Sequence, residues 1–287
     1  IGLDLDVNEL IVKTDLIDYY HRIPERFEVA EHICTDEDVV RIEPHEKGFQ
    51  LASRDLISGE ERCYTCKYLV LATGQRGQLR DLEVAGEDAS FVTSHYDKPE
   101  DFPGERVGVV GGGRSGDWAA TELHDAGKQV YYAMRQGADV HWRLINDSRG
   151  GLPYYGRIAE ILESHSPRLQ TSYNTRVTEI GADGQIALET PDGPEVVEVD
   201  HLIKEIGGVA DYSILQGFKP LQLEPMRDNY RFQLDQVQIH GHNYESVDIP
   251  NLYVGGYLAA GIGLVIIAMH GTTYAISGDI LQKEGRL

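Results

Sequence analysis

Three groups of residues in this chain have the types and spacing for chemistry. The first is a glycine cluster, Arg106-Val-Gly-Val-Val-Gly-Gly-Gly-Arg-Ser-Gly-Asp117, in which Gly111, Gly113 and Gly116 keep the spacing G-x-G-x-x-G. That spacing cradles a dinucleotide pyrophosphate. The first glycine permits a tight turn out of a strand, the second lets backbone approach the phosphates, and the third lets the next helix pack close. Arg114 and Ser115 lie between the last two glycines, where the unpaired N–H groups of a helix start would face the anion. The second group, Cys63-Tyr-Thr-Cys66, has the C-x-x-C spacing of a redox dithiol, which works best at a helix N-terminus that lowers a thiol pKa. The third, His240-Gly-His242, would put two imidazoles on one strand face, with no obvious third metal ligand nearby. No Ser/His/Asp set or carboxylate pair stands out.

The elements that must position these groups separate them. A β-branched run reaches Gly111, and after it Ala119, Leu123 and Ala126 fall on one helical face. Gly127 ends that helix, and 130–134 reads as a second strand, completing the βαβ context that the glycine spacing requires. At the end of the second strand, where an NAD site usually carries Asp or Glu, stands Met134-Arg135-Gln136, and no carboxylate follows before Asp139. Arg135, with Arg143 in support, suits a 2′-phosphate, and so NADPH; a solvated strand-end cation is the alternative. The cysteine pair leads into Lys67-Tyr-Leu-Val-Leu-Ala72, a strand pattern on which residues three apart face opposite ways. Ordinary strand cysteines and no metal are therefore the reading for the other two groups.

The rest of the chain supplies a helix over 14–22 and strands over 38–43, 48–53 and 62–71, the last two joined by a turn at Ser58-Gly59. A proline- and glycine-containing hinge lies at 98–104. A helix over 153–164, a meander over 177–180, 185–189 and 195–199, and a strand from His201 follow, and a long helix ends the chain.

With 26 basic against 47 acidic residues, the formal charge is −21, which repels phosphate backbones and anionic membranes. Nucleic acid and membrane are therefore not expected as partners. The most apolar run, 259–269, is about half of the roughly 20 residues that span a bilayer, and the start has no secretory pattern. Three cysteines make no disulfide framework, and a cytoplasmic location is expected.

Around this fingerprint the chain resembles the flavoprotein oxidoreductases with two dinucleotide-binding domains, which include thioredoxin reductases, flavin monooxygenases and bacillithiol-disulfide reductase-like proteins. Tyr68-Leu-Val-Leu-Ala-Thr-Gly74 resembles the strand that leads from the FAD domain toward the NADPH domain. Val84-Ala-Gly-Glu-Asp and the stretch from Ser94 to Arg106 resemble the crossover before the second fingerprint. Ile249-Pro-Asn-Leu-Tyr-Val-Gly-Gly256 resembles the returning FAD segment. The resemblance implies an α/β fold with two Rossmann-like three-layer domains, the NADPH domain (101–245) inserted in an N-terminally incomplete FAD domain (1–100 and 246–287). It implies FAD contacts at Val40, Ala72, Thr73, Gly74 and Gly256. Gly207 or Gly208, after the strand from His201, would face NADPH, with a plain strand-ending turn as the alternative.

The implied activity is hydride transfer from NADPH to FAD and on to a small acceptor, a low-molecular-weight disulfide among the candidates, in a homo-oligomer. Flavin-dependent monooxygenation and a non-catalytic NADPH-sensing module are the rivals, and no catalytic residue is assigned. Two departures from the family pattern bear on this. An FAD fingerprint normally precedes the region that starts here, so roughly 40 to 50 residues, about one βαβ unit, are expected to be missing. Tyr257 also stands where many relatives carry Asp, closer to the bacillithiol-disulfide reductase-like group.

Overall fold

A computed structural model describes residues 13–74, 78–150, 154–227, 233–260 and 265–287. The chain divides into two units, Ile1–Leu69 with Tyr212–Phe218, and Val70–Asp211 with Lys219–Leu287.

In the first unit, α1 (Lys13–Arg26) outruns the predicted 14–22 and contains Pro24. The strands β1 (Glu37–His45), β2 (Gly48–Asp55) and β3 (Glu61–Cys66) form an antiparallel sheet in that order. The predicted strand over 62–71 is in fact two, because β3 stops at Cys66 and β4 (Leu69–Leu71) pairs elsewhere. Val39 pairs with Ser53 and Arg41 with Ala52, so Val40 is the extra residue of a β-bulge. On the far side of β1, the Ile42 N–H donates to Ile214 O at 2.7 Å and Gln216 N–H to Ile42 O at 2.8 Å. Those bonds draw the segment Tyr212–Phe218 into this unit.

The second unit is built on a parallel sheet. After the short β5 (Gln78–Leu79) come β6 (Val92–Thr93), β7 (Arg106–Val110), α2 (Arg114–Asp125) and β8 (Gln129–Ala133). Then follow α3 (Ala138–Ser148), α4 (Tyr154–Glu163), β9 (Leu169–Ser172) and the meander β10 (Arg176–Ile180), β11 (Gln185–Thr190) and β12 (Gly193–Glu198). Next, β13 (His201–Lys204) joins the sheet, whose order is β6-β13-β7-β8-β9 with all pairs parallel. β14 (Gly208–Val209) pairs with β5, β15 (Leu223–Arg227) with β16 (Gln233–Val237), and β17 (Leu252–Val254) with β4; α5 (Val265–Lys283) ends the chain.

The period of two along the strands decides what each face buries. Val107, Val109, Val130, Tyr132 and Ile203 point to the helices, where Ala119, Leu123, Leu144 and Ile158 complete one core. Val110, Tyr131, Ala133 and Leu202 point the other way and pack on the meander through Val177, Ile186 and Leu188. Each buried Val, Leu or Ile contributes about 1.5–3 kcal/mol. Covering on both faces explains why β7 reads as a continuous apolar run rather than an alternating one. Gly108 interrupts that run because a Cβ there would lie 2.7 Å from the Leu202 side chain.

The helix α3 was not anticipated. Its buried face consists of Val140, His141, Leu144, Ile145 and Ser148, and two polar residues on that face mask the helical pattern. Pro153, the expected first residue of α4, lies outside the described residues, as does Gly261 in the stretch after Tyr257. Among the described residues no helix is long and apolar enough to cross a membrane.

Candidate nucleotide site

β7 delivers its chain to Gly111, whose φ of +122° is open only to glycine, and the Gly111 N–H donates to Ala133 O on β8 at 2.9 Å. A Cβ at Gly111 would strike the Glu205 carbonyl, and one at Gly116 would strike the Gly111 carbonyl. The first and third glycines are thus required by close approach of backbone to backbone. A Cβ at Gly113 would meet nothing within 4 Å. That glycine borders open space, as a residue facing a ligand should.

Gly113 is the N-cap of α2 and supplies no side-chain cap. The Asp117 N–H is the first to bond back into the turn, to Gly113 O at 2.9 Å. Among the described residues the N–H groups of Gly113, Arg114 and Ser115 meet no acceptor, which leaves a positive helix end prepared for an anion. Arg114, Ser115 and Arg135 are all exposed beside it, and Arg135 has no ion pair among the described residues. β8 and β13 flank β7 on opposite sides, and the chain leaves β7 for one and returns to the other only later. The crevice outside the carboxyl ends of such strands is where open α/β sheets bind ligands. Gly207 lies three residues past β13 at that edge, and its carbonyl accepts the Arg80 N–H at 3.1 Å.

The fingerprint helix also carries a feature that spacing alone did not reveal. Asp117 and His141 are both 0% exposed. The Asp117 Oδ1 accepts from the Tyr132 hydroxyl at 2.9 Å and lies 2.6 Å from His141 Nε2, while Oδ2 has no partner among the described residues. His141 Nδ1 is 3.4 Å from the Tyr173 hydroxyl. Burial, with the Asp117 charge in support, pushes the Tyr132 phenol well above its usual range and the Tyr173 phenol up to about 12. Both therefore stay protonated donors. This network ties the first turn of α2 to β8, to α3 and to the segment after β9. The carboxylate directly after the third glycine was its one sequence signal. Lys204 at the end of β13 is likewise buried, against Glu87 and, at 3.5 Å, Asp81. Against the upward push of burial, the Lys204 bond and the Leu82 and Glu83 N–H groups hold the Glu87 carboxyl below its usual range.

The residues assigned to FAD fall into two sets. Ala72, Thr73 and Gly74 follow β4, and Gly256 follows β17. The Gly255 N–H donates to Leu71 O at 2.9 Å, and a Cβ at Gly255 would lie 3.5 Å from the Ala72 Cβ. The two strand ends therefore adjoin. Gly74 and Gly256 both have open space where a Cβ would point, the bare backbone on which a flat group can rest. Val40 is in the first unit, as the half-buried residue of the β1 bulge.

The other two groups singled out from the sequence have no such setting. Cys63 and Cys66 lie on β3, away from any helix start, and Cys34, Cys63 and Cys66 are free. Burial pushes the Cys66 thiol up, the opposite of activation. The His240 and His242 rings are 6.2 Å apart, and among the described residues no group of three or more potential ligands could hold a metal.

Comparison with known proteins agrees with this fold. A solved bacillithiol disulfide reductase from Bacillus cereus superposes with a TM-score of 0.78 at 19% identity, covering 98% of this chain and 81% of its own. A probable indole-3-pyruvate monooxygenase of Arabidopsis thaliana is 30% identical over 142 residues, 48% of this chain and 33% of the relative. A ferredoxin–NADP reductase of Ignicoccus hospitalis is 39% identical over 79 residues, 28% of this chain and 25% of the relative. The matches thus span a third or less of these two curated relatives. The family model for pyridine nucleotide-disulphide oxidoreductases matches residues 6–256, which takes in the glycine turn, both flanking strands and the adjoining ends of β4 and β17. On that match and the two-Rossmann α/β fold, the chain belongs to the pyridine nucleotide-disulphide oxidoreductase family.

Proposed function

We propose that the chain is an NADPH-dependent flavoprotein oxidoreductase that reduces a small acceptor. The observation that carries this reading is the uncapped start of α2, with Gly113 bordering open space and Arg135 exposed and without an ion pair among the described residues. In this reading residues 101–245 serve the nucleotide, and 1–100 with 246–287 serve the flavin. The N–H groups of Gly113, Arg114 and Ser115 hold the pyrophosphate, Arg135 takes the 2′-phosphate, and Gly207 leaves room at the sheet edge. Gly74 and Gly256 give FAD a bare backbone surface, and Ala72 and Thr73 line its edge; within its own unit, Val40 offers backbone that the β1–β2 ladder does not use. When bound, the two cofactors supply the redox chemistry, a hydride from the nicotinamide that the flavin accepts. The chain's own task is to hold and aim them. A low-molecular-weight disulfide is the favoured acceptor, in keeping with the shape shared with bacillithiol disulfide reductase.

The test is the visible spectrum of the purified protein before and after NADPH is added without oxygen. Flavin bands that bleach support the reading; a colourless protein that binds NADPH overturns it and leaves a nucleotide-binding module. Flavin-dependent monooxygenation is a second reading, favoured by the match to the plant monooxygenase. Oxygen consumption tied to an oxygenated product would single it out.

A further inference from the structure

We infer that Gln136 is a positioning residue that holds the Gly112–Gly113 peptide in the orientation that binds pyrophosphate. This inference rests on the nucleotide reading of the α2 start. Gln136 is the third residue after β8, and its side-chain Nε2 donates to the Gly112 carbonyl. A Cβ at Gly112 would lie 2.7 Å from that Nε2 and 2.6 Å from the Met134 sulfur, so the side chain lies directly over the glycine turn. Its own backbone is anchored: the Gln136 carbonyl accepts the Asn174 N–H at 3.0 Å, and the Met134 carbonyl accepts the Thr175 N–H at 2.9 Å. The donor is thus carried on a segment fixed to the chain that follows β9.

The consequence follows from peptide geometry. In a planar trans peptide the C=O and the next N–H point in opposite directions. Holding the Gly112 carbonyl toward Gln136 therefore aims the Gly113 N–H the other way. That N–H has no acceptor among the described residues, and the Gly113 Cα borders open space. Glycine on both sides of this peptide gives it little steric resistance to flipping. A flipped peptide would present a carbonyl, not a donor, to the pyrophosphate. Gln136 supplies the restraint that the glycines cannot, and it acts on the part common to NADH and NADPH, whereas Arg135 acts on the 2′-phosphate.

The experiment titrates NADPH and NADH into the full chain as purified, comparing wild type with Gln136→Leu and Gln136→Glu. Gln136→Leu should weaken both nucleotides by about tenfold, the scale of one hydrogen bond, and leave their affinity ratio unchanged. The melting temperature of the nucleotide-free protein should stay within about 2 °C, since one part-buried bond is removed without a core cavity. Gln136→Glu loses the donor and adds a charge, so both nucleotides should weaken at least as much. Unchanged binding in Gln136→Leu overturns the inference and leaves the nucleotide reading standing. Loss confined to one nucleotide, or a gain for NADH in Gln136→Glu, also overturns it, because the side chain would then meet the ribose. Should Gln136→Leu melt far below wild type, Gln136→Lys decides: with a donor restored it should bind NADH within about threefold of wild type, and failure to do so overturns the inference. Binding of neither nucleotide by wild type would bring down the nucleotide reading itself.

Discussion

Arg135 and Gln136 are neighbours in sequence for which separate tasks are proposed. Arg135 is exposed, has no ion pair among the described residues, and follows the strand whose end meets the ribose in this class of sheet. A charged hydrogen bond to phosphate contributes about 1.5–3 kcal/mol, or roughly 10- to 100-fold in affinity. Arg135→Ala should therefore weaken NADPH by about that factor and leave NADH nearly unchanged, as read by parallel titrations. Equal losses for both would show that Arg135 does not meet the 2′-phosphate. The Asp117 network is of another kind. Asp117, His141 and Tyr132 are sealed from solvent, and a buried polar network of this sort constrains geometry more dependably than it adds stability. Residue type and spacing made the glycines legible, since backbone approach leaves a mark in sequence. The pairing of Asp117 with His141 spans 24 positions and left none.

At the scale of elements, β7, α2 and β8 form the unit that positions the site, and its start is closed by Asp200. That carboxylate accepts the Glu105 and Arg106 N–H groups, each at 2.8 Å, and the Arg106 guanidinium at 2.9 Å. The Arg106 N–H, against the push of burial and with the guanidinium in support, lowers its pKa from 3.8 to about 2. A carboxylate with a depressed folded-state pKa stabilises the fold above its unfolded value and loses that contribution as pH falls. Between about pH 4 and pH 2 the Asp200 contribution should therefore disappear. Asp200→Asn should be less stable than wild type at neutral pH and should lose less on acidification over that window, measured by denaturant unfolding. Parallel acid profiles would sink the assignment. The meander and α4 were legible because their apolar residues keep a clean period. The helix α3 was not, because His141 and Ser148 sit on its buried face, and the partners of His141 come from other elements.

For the whole molecule the governing quantity is the charge of −21. Self-repulsion of that size destabilises a compact state and is screened by salt, with a Debye length of about 10 Å at 0.1 M. Raising sodium chloride from about 20 mM to about 0.5 M should raise the melting temperature by a few degrees. A fall would show that attractive ion pairs, such as Arg157 with Asp125 and Lys283 with Glu245, outweigh the repulsion.

By itself the sequence determined the βαβ unit, the glycine turn with its close approaches at Gly111 and Gly116, the position of Arg135 at the end of the second strand and the family resemblance. Each of these is written locally, in periodicity and in the steric needs of a tight turn. Only the tertiary structure decided that the strand over 62–71 is two, that Val40 is a bulge, that β13 rather than a nearer strand flanks β7, and that Gln136 reaches back over Gly112. Those features depend on which distant segments meet. The physical reason is that a hydrogen bond across 24 residues, here from the Gln136 side chain to the Gly112 backbone carbonyl, constrains two positions jointly, and neither alone carries a pattern that declares the other.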